Sequence, residues 1–170
     1  MNGDSVVPWR EPAVLFAPGL PAAVDALLQR AVALRHSDPA EAERLLLNAA
    51  ARFPDCLPAH FALYKYYANR RSLAQAEDAA RRALREAARQ GGFACRLGLR
   101  EPAGERHPYE AGGAGHFYLF TLKALAFIKL RRNEAAAAED ILALLLALDP
   151  EDRSGASVVR QLADAVEEDG

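Results

Sequence analysis

Residues 38–52, DPAEAERLLLNAAAR, and residues 72–90, SLAQAEDAARRALREAARQ, open in the same way. Each begins with a side chain able to accept a backbone hydrogen bond at a helix start, Asp38 or Ser72, and carries Glu41 or Gln75 three residues on, able to return the bond. Superimposing the two caps places Ala42 on Ala76 and Ala49 on Ala83, and both pairs stand 34 residues apart. A 34-residue spacing between like helices marks a helix-turn-helix repeat.

Working outward, the same punctuation continues. A helix from Pro21 carries Val24, Leu27, Leu28, Ala31 and Leu34 at spacings of three and four. The second runs from Pro39 to about Phe53 and stops at Pro54. A third runs from near Pro58 to about Arg70 with Phe61, Leu63, Tyr64, Tyr66 and Tyr67, and a fourth runs from Ser72 to Gln90, where Gly91-Gly92 ends it. Residues 91–115 break the rhythm with glycines and scattered charge and read as an insertion. The fifth helix, from about His116 to Arg131, is apolar almost all round, so it is expected to be covered on more than one side. Asn133 is the expected cap of a sixth from Glu134 to Leu148, and a capping helix over 153–167 follows. Residues 1–20, rich in proline and without a regular period, form an irregular arm.

Composition agrees. The chain holds 37 Ala and 24 Leu against 8 Val, 2 Ile and 1 Thr, so good helix formers dominate and the residues that suit a pleated sheet are scarce. The fold class is all-α. A formal net charge of -2 supplies no positive field for a nucleic-acid backbone, so nucleic acid is not an expected partner. The longest apolar run, Phe117 to Leu130, is broken by Lys123 and Lys129, so no membrane span is expected. Two cysteines, Cys56 and Cys95, suit a reducing compartment, and a cytoplasmic location is the expectation.

The 34-residue period with small residues at matching places resembles the tetratricopeptide repeat family, in the form of a small bacterial-type protein of three units. The second unit carries the family pattern as His60, Leu63, Tyr67, Ala76 and Ala83. The first carries it as Ala42, Ala49 and Pro54, and the third as Leu122, Leu125, Ala126, Ala138, Leu145 and Pro150. Gln29, Arg30, Tyr64 and Lys129 depart from it. The resemblance implies an α-solenoid in one domain over 21–167. Its repeats would be near 22–55, 56–90 and 116–150, with 91–115 inserted between the second and third, and alanines where paired helices touch.

Chemistry is sparse. No GxSxG, GxxxxGK[ST] or HExxH is present, so an enzyme is not expected, nor is a cofactor. Cys56 and His60 are four apart and could share a helix face, but His60 falls at a core position, so a packed histidine is the better reading and no metal ligand is assigned. The Arg run 81, 82, 85 and 89 has Glu77, Asp78 and Glu86 beside it, which reads as a solvated face with internal ion pairs. In the family the first helices of the units line a concave groove, and those positions here include Arg35, Phe61, Lys65, Asn69, Lys123, Phe127 and Arg131. Aromatic anchors with cations and an amide suit a protein segment bearing acidic groups. The expected function is therefore that of an adaptor, chaperone or assembly factor holding a protein segment. A secretion-type client chaperone and a metal- or redox-linked accessory protein using Cys56, His60 and the insertion are the alternatives. A homodimer through the arm or the insertion also stays open.

Overall fold

The computed structural model describes residues 19–93, 95 and 112–168, and among these it is all-helical, with seven α-helices and no strand. We number them α1 (Ala22–Leu34), α2 (Pro39–Arg52), α3 (Leu57–Asn69), α4 (Leu73–Gly91), α5 (Gly113–Arg131), α6 (Ala135–Leu148) and α7 (Ala156–Glu168). All but the last two residues of the irregular arm expected over 1–20, and most of the insertion, lie outside the described residues.

The chain forms two compact bodies that divide within α3, after Leu63. In the first, α1 packs on α2. Val24, Leu28 and Ala31 recur at spacings of four and three, so they form one buried stripe; Ala42, Leu45, Leu46 and Ala49 do the same on α2. In the second body α5 packs against α4, α6 and α7. Helix α4 buries Ala76, Ala79, Ala80, Ala83, Ala87 and Ala88 together with Leu84 and Glu77, a face made mostly of small side chains. Helix α5 buries Tyr118, Leu119, Leu122, Leu125, Ala126 and Ile128. Large side chains on one helix and mostly methyl groups on the other let the two axes approach closely.

The caps depart from expectation in instructive ways. The Asp38 carboxylate accepts from the Glu41 amide at 3.2 Å, but the return bond does not form. The Asp38 amide donates to the Leu34 carbonyl at 2.8 Å, and the Glu41 carboxylate takes two bonds of 2.7 Å from Arg44. Ser72 makes no side-chain cap bond; its amide donates to the Tyr67 carbonyl at 2.9 Å, so the donor a Gln75 side chain would seek is already used. Asn133 does not cap α6: it sits one residue before the N-cap, Glu134, with φ +61. Asparagine tolerates that left-handed backbone, which closes the turn. Replacing Asp38 by alanine is expected to cost about 1 kcal/mol in urea unfolding, the loss of one N-terminal acceptor. Ser72→Ala, which removes none, should be nearly neutral.

Turn hydrogen bonds repeat in register. The amides of Arg70, Arg71 and Ser72 donate to the carbonyls of Tyr66, Ala68 and Tyr67, and the amides of Arg132, Asn133 and Glu134 donate to those of Ile128, Leu130 and Lys129. Arg71 and Asn133 share the left-handed conformation, φ +60 and +61. The connection ahead of α3 runs Phe53 to Ala49, Cys56 to Phe53 and Ala59 to Cys56; ahead of α7 it runs Asp149 to Leu145, Asp152 to Asp149 and Gly155 to Asp152. In this register Arg52 matches Glu86 and Leu57 matches Leu119, yet α4 continues to Gly91 and α5 begins at Gly113. Part of the inserted stretch therefore lengthens both helices, and Phe93 meets Tyr118 edge to face there, with ring centroids 4.8 Å apart. The earlier start of α5, against the expected His116, and the start of α7 at Ala156 are the main boundary differences.

Candidate functional site

Helix α5 has two chemically different sides. Opposite its buried side runs a stripe of His116, Phe120, Lys123, Phe127 and Arg131, spaced four, three, four and four residues apart and so stacked along one face. Phe120, Lys123 and Phe127 are half-buried, and the two ends, His116 and Arg131, are exposed. The His116 and Phe120 rings lie 4.6 Å apart between centroids. The Lys123 Nζ stands 4.6 Å from the centre of the Phe120 ring, and the Arg131 guanidinium carbon 5.6 Å from that of Phe127. Each aromatic face thus carries its own cation.

Lys123 is held in place. Its ammonium donates to the Ser154 carbonyl at 2.5 Å, in the turn between α6 and α7. That turn is built by the buried Asp149, whose carboxylate accepts from the Arg153 amide at 2.9 Å, the Ser154 amide at 2.8 Å and the Ser154 hydroxyl at 2.6 Å. Burial pushes the Lys123 pKa below its ordinary value, and the nearby Asp152 charge only partly opposes this. Burial lowers Lys65 likewise. An anion placed beside either ammonium would favour its charged form and reverse the shift.

The other expected groove residues are placed as follows. Lys65 and Asn69 lie on the part of α3 that belongs with the second body, half-buried and exposed respectively. One turn before Asn69, on the same segment, the Tyr64 hydroxyl bonds Thr121 Oγ1 of α5 at 3.4 Å, and Thr121 donates to the Phe117 carbonyl at 2.8 Å. Phe61, half-buried, lies in the first body. So does Arg35, which is buried and donates through Nη1 to the Val32 carbonyl at 2.6 Å, a cation folded back on the last turn of its own helix.

Two features escape the sequence reading. Phe120 and His116 extend the stripe, and their spacing from Lys123 on an almost wholly apolar helix is the signal that could have found them. The second is an ion cluster between α4 and α5. Glu77 accepts from Lys129 at 2.8 Å, Arg132 at 2.8 Å and Arg81 at 2.9 Å, while Lys129 and Arg132 also meet Glu134 at 2.6 Å and 2.8 Å. Lys129, a departure from the repeat pattern, is thus the partner of a buried carboxylate 52 residues away. Of the Arg run, Arg81 pairs with Glu77 and Arg89 with Glu86, the internal pairing expected of that face.

Around Cys56 the His60 Nε2 donates to the Pro54 carbonyl at 2.7 Å, and burial raises the Cys56 thiol above its ordinary value. Cys95 is half-buried, and burial raises its thiol too, against a hydrogen bond with Tyr118. Among the described residues no three His, Cys, Asp or Glu side chains gather as a metal site would require, and no helix is long and apolar enough to cross a membrane. None of the family models, curated proteins or solved structures compared with the chain matches it.

Proposed function

We propose that the chain is a protein-interaction module of tetratricopeptide-like build, an adaptor or chaperone-type protein that holds a partner segment bearing carboxylates. The in-register turns and the buried alanines at Ala42, Ala49, Ala76, Ala83 and Ala138 support the build. The observation that carries the function is the α5 stripe, where half-buried Phe120 and Phe127 lie under Lys123 and Arg131. A partner's apolar side chain gains by covering the rings, and its carboxylates gain from cations already positioned. Besides Lys123, Lys65 adds a second partly desolvated ammonium in the same body.

The test uses defined peptides. Fluorescence anisotropy with a labelled peptide alternating Phe or Leu with Asp and Glu should show saturable binding, and the same peptide with Lys for each acid should not bind. Lys65→Glu combined with Lys123→Glu should weaken the acidic peptide at least about tenfold, a change of about 1.4 kcal/mol, with the helical circular dichroism unchanged. Equal binding of the acidic and basic peptides, or an unchanged affinity in the double variant, contradicts the proposal.

A further inference from the structure

The α5 stripe is one unit used twice. An aromatic ring is followed on the same face by a cation three or four residues on, first as Phe120 and Lys123, then as Phe127 and Arg131. The rings are seven residues apart and the cations eight. At about 1.5 Å of rise per residue the ring positions lie about 10.5 Å apart along the axis, and the cation positions about 12 Å. The charge is of one sign, since α5 carries no Asp or Glu. Among the described residues neither Lys123 nor Arg131 meets a carboxylate at ion-pair distance, whereas Lys129, on the buried side of the same helix, meets two. The Asp152 carboxylate, whose charge reaches Lys123, accepts instead from the Ser157 amide at 3.1 Å and the Ser157 hydroxyl at 2.5 Å.

The spacing decides what kind of segment engages both units at once. Along an extended strand, residues that point the same way recur at about 6.7 Å and about 13.4 Å, and the ring spacing falls midway between the two. A strand residue three places on covers about 10 Å but points to the opposite face. On a helix, residues i and i+7 return to one face about 10.5 Å apart, with i+3, i+4 and i+11 on the same side. Two helices that cross at a shallow angle of about 20° stay in contact over these two turns. A helix laid along α5 therefore sets one apolar side chain on each ring, with carboxylates one turn away to reach the cations.

Resting on the α5 stripe as the partner site, we infer that the segment it holds is an amphipathic acidic helix, with apolar side chains at i and i+7 and Asp or Glu one turn from each. An extended acidic segment covers one unit and leaves the other to water, so it binds through half of the site.

Fluorescence anisotropy on the full chain with three labelled peptides of about 21 residues, long enough for stable helix, tests it. The first is an alanine-based helix with Leu at i and i+7 and Glu three or four residues to either side of each. The second keeps the composition but moves the later Leu and its Glu residues to the i+5 register, about 140° round the helix. The third alternates Leu with Asp and Glu. Circular dichroism checks that the first two are equally helical. The first should bind at least about tenfold tighter than either of the others, since it alone covers both rings. Phe127→Ala combined with Arg131→Ala should bring it down to the affinity of the second peptide. Arg131→Glu, at an exposed position away from the core, should weaken it at least about fivefold. Equal affinities of the first two peptides, or tighter binding of the alternating one, overturn the inference while acid recognition stands. Failure of every acidic peptide to bind overturns the partner site itself, and the inference with it.

Discussion

Replacing Glu77 by leucine is expected to destabilise the second body by about 3 kcal/mol, one of the two largest effects we foresee. Glu77 is 8 % exposed and its carboxylate faces three cations, Lys129, Arg132 and Arg81. Taking out one partner of a buried charge cluster leaves the others without compensation at a site where water cannot fully replace it. Glu134 retains Lys129 and Arg132 as partners, which keeps the loss at the lower end of what such deletions cost. Adding Lys129→Met to Glu77→Leu should recover most of the loss, because an apolar pair of similar size fills the same space with no charge to desolvate. Urea unfolding of the four chains of this cycle measures it, and additive effects from the two single changes would show that the cluster carries no coupling.

The same cluster sets a pH dependence. Burial pushes the Glu77 carboxyl up, but hydrogen bonds from Lys129 and Arg81 and the charges of both outweigh it, so the folded value lies below the ordinary one. A depressed carboxyl contributes stability that is present above the unfolded value, about 4.3, and is lost as pH falls through the folded value. The Lys129 ammonium is opposed by burial, yet its bonds to Glu134 and Glu77 raise it overall, so its contribution is lost only as pH climbs through its raised value. Acidification should therefore narrow the stability gap between the unaltered chain and Glu77→Leu, while the neutral range leaves it constant.

The second large effect concerns the alanine face of α4. Changing Ala80 and Ala83 together to leucine should cost about 4 kcal/mol, since both are fully buried and extra methylenes at close-packed positions force neighbouring helices apart at about 1–3 kcal/mol each. The same change at the exposed Ala136 of α6 should stay within about 0.5 kcal/mol. Thermal or urea unfolding separates these cases. If the α4 pair proves as neutral as Ala136→Leu, close packing is not why alanine stands there.

Much of the local structure is legible because its causes are local. Helix propensity, the prolines at Pro39, Pro54 and Pro150, and the glycines at Gly91 and Gly92 act within a few residues, and the helix ends follow them to within about a turn except at α5. The register from Ala42 to Ala76 is equally readable, since periodicity needs no knowledge of what packs where. Cap chemistry is less so. Whether Ser72 or Asn133 bonds a helix amide depends on how the preceding helix ends, and the left-handed residues Arg71 and Asn133 close those turns through backbone bonds instead. The candidate stripe is half visible: Lys123, Phe127 and Arg131 fall at repeat positions, while Phe120 and His116 gain meaning only from the cation and the ring beside them.

By itself, then, the amino-acid sequence determined that the described residues are helical, where most of their helices begin and end to within about a turn, and that two of them recur at 34 residues, because propensity and spacing are properties of neighbouring residues. Tertiary structure alone decided which charges are buried and which faces stay open. Glu77 and Lys129 are 52 residues apart and look like two surface charges until α4 and α5 close on each other. Leu162 stands in the register of Tyr66 and Ile128, yet it is exposed where they are buried. Burial is a relation between distant segments, so no window along the chain contains it.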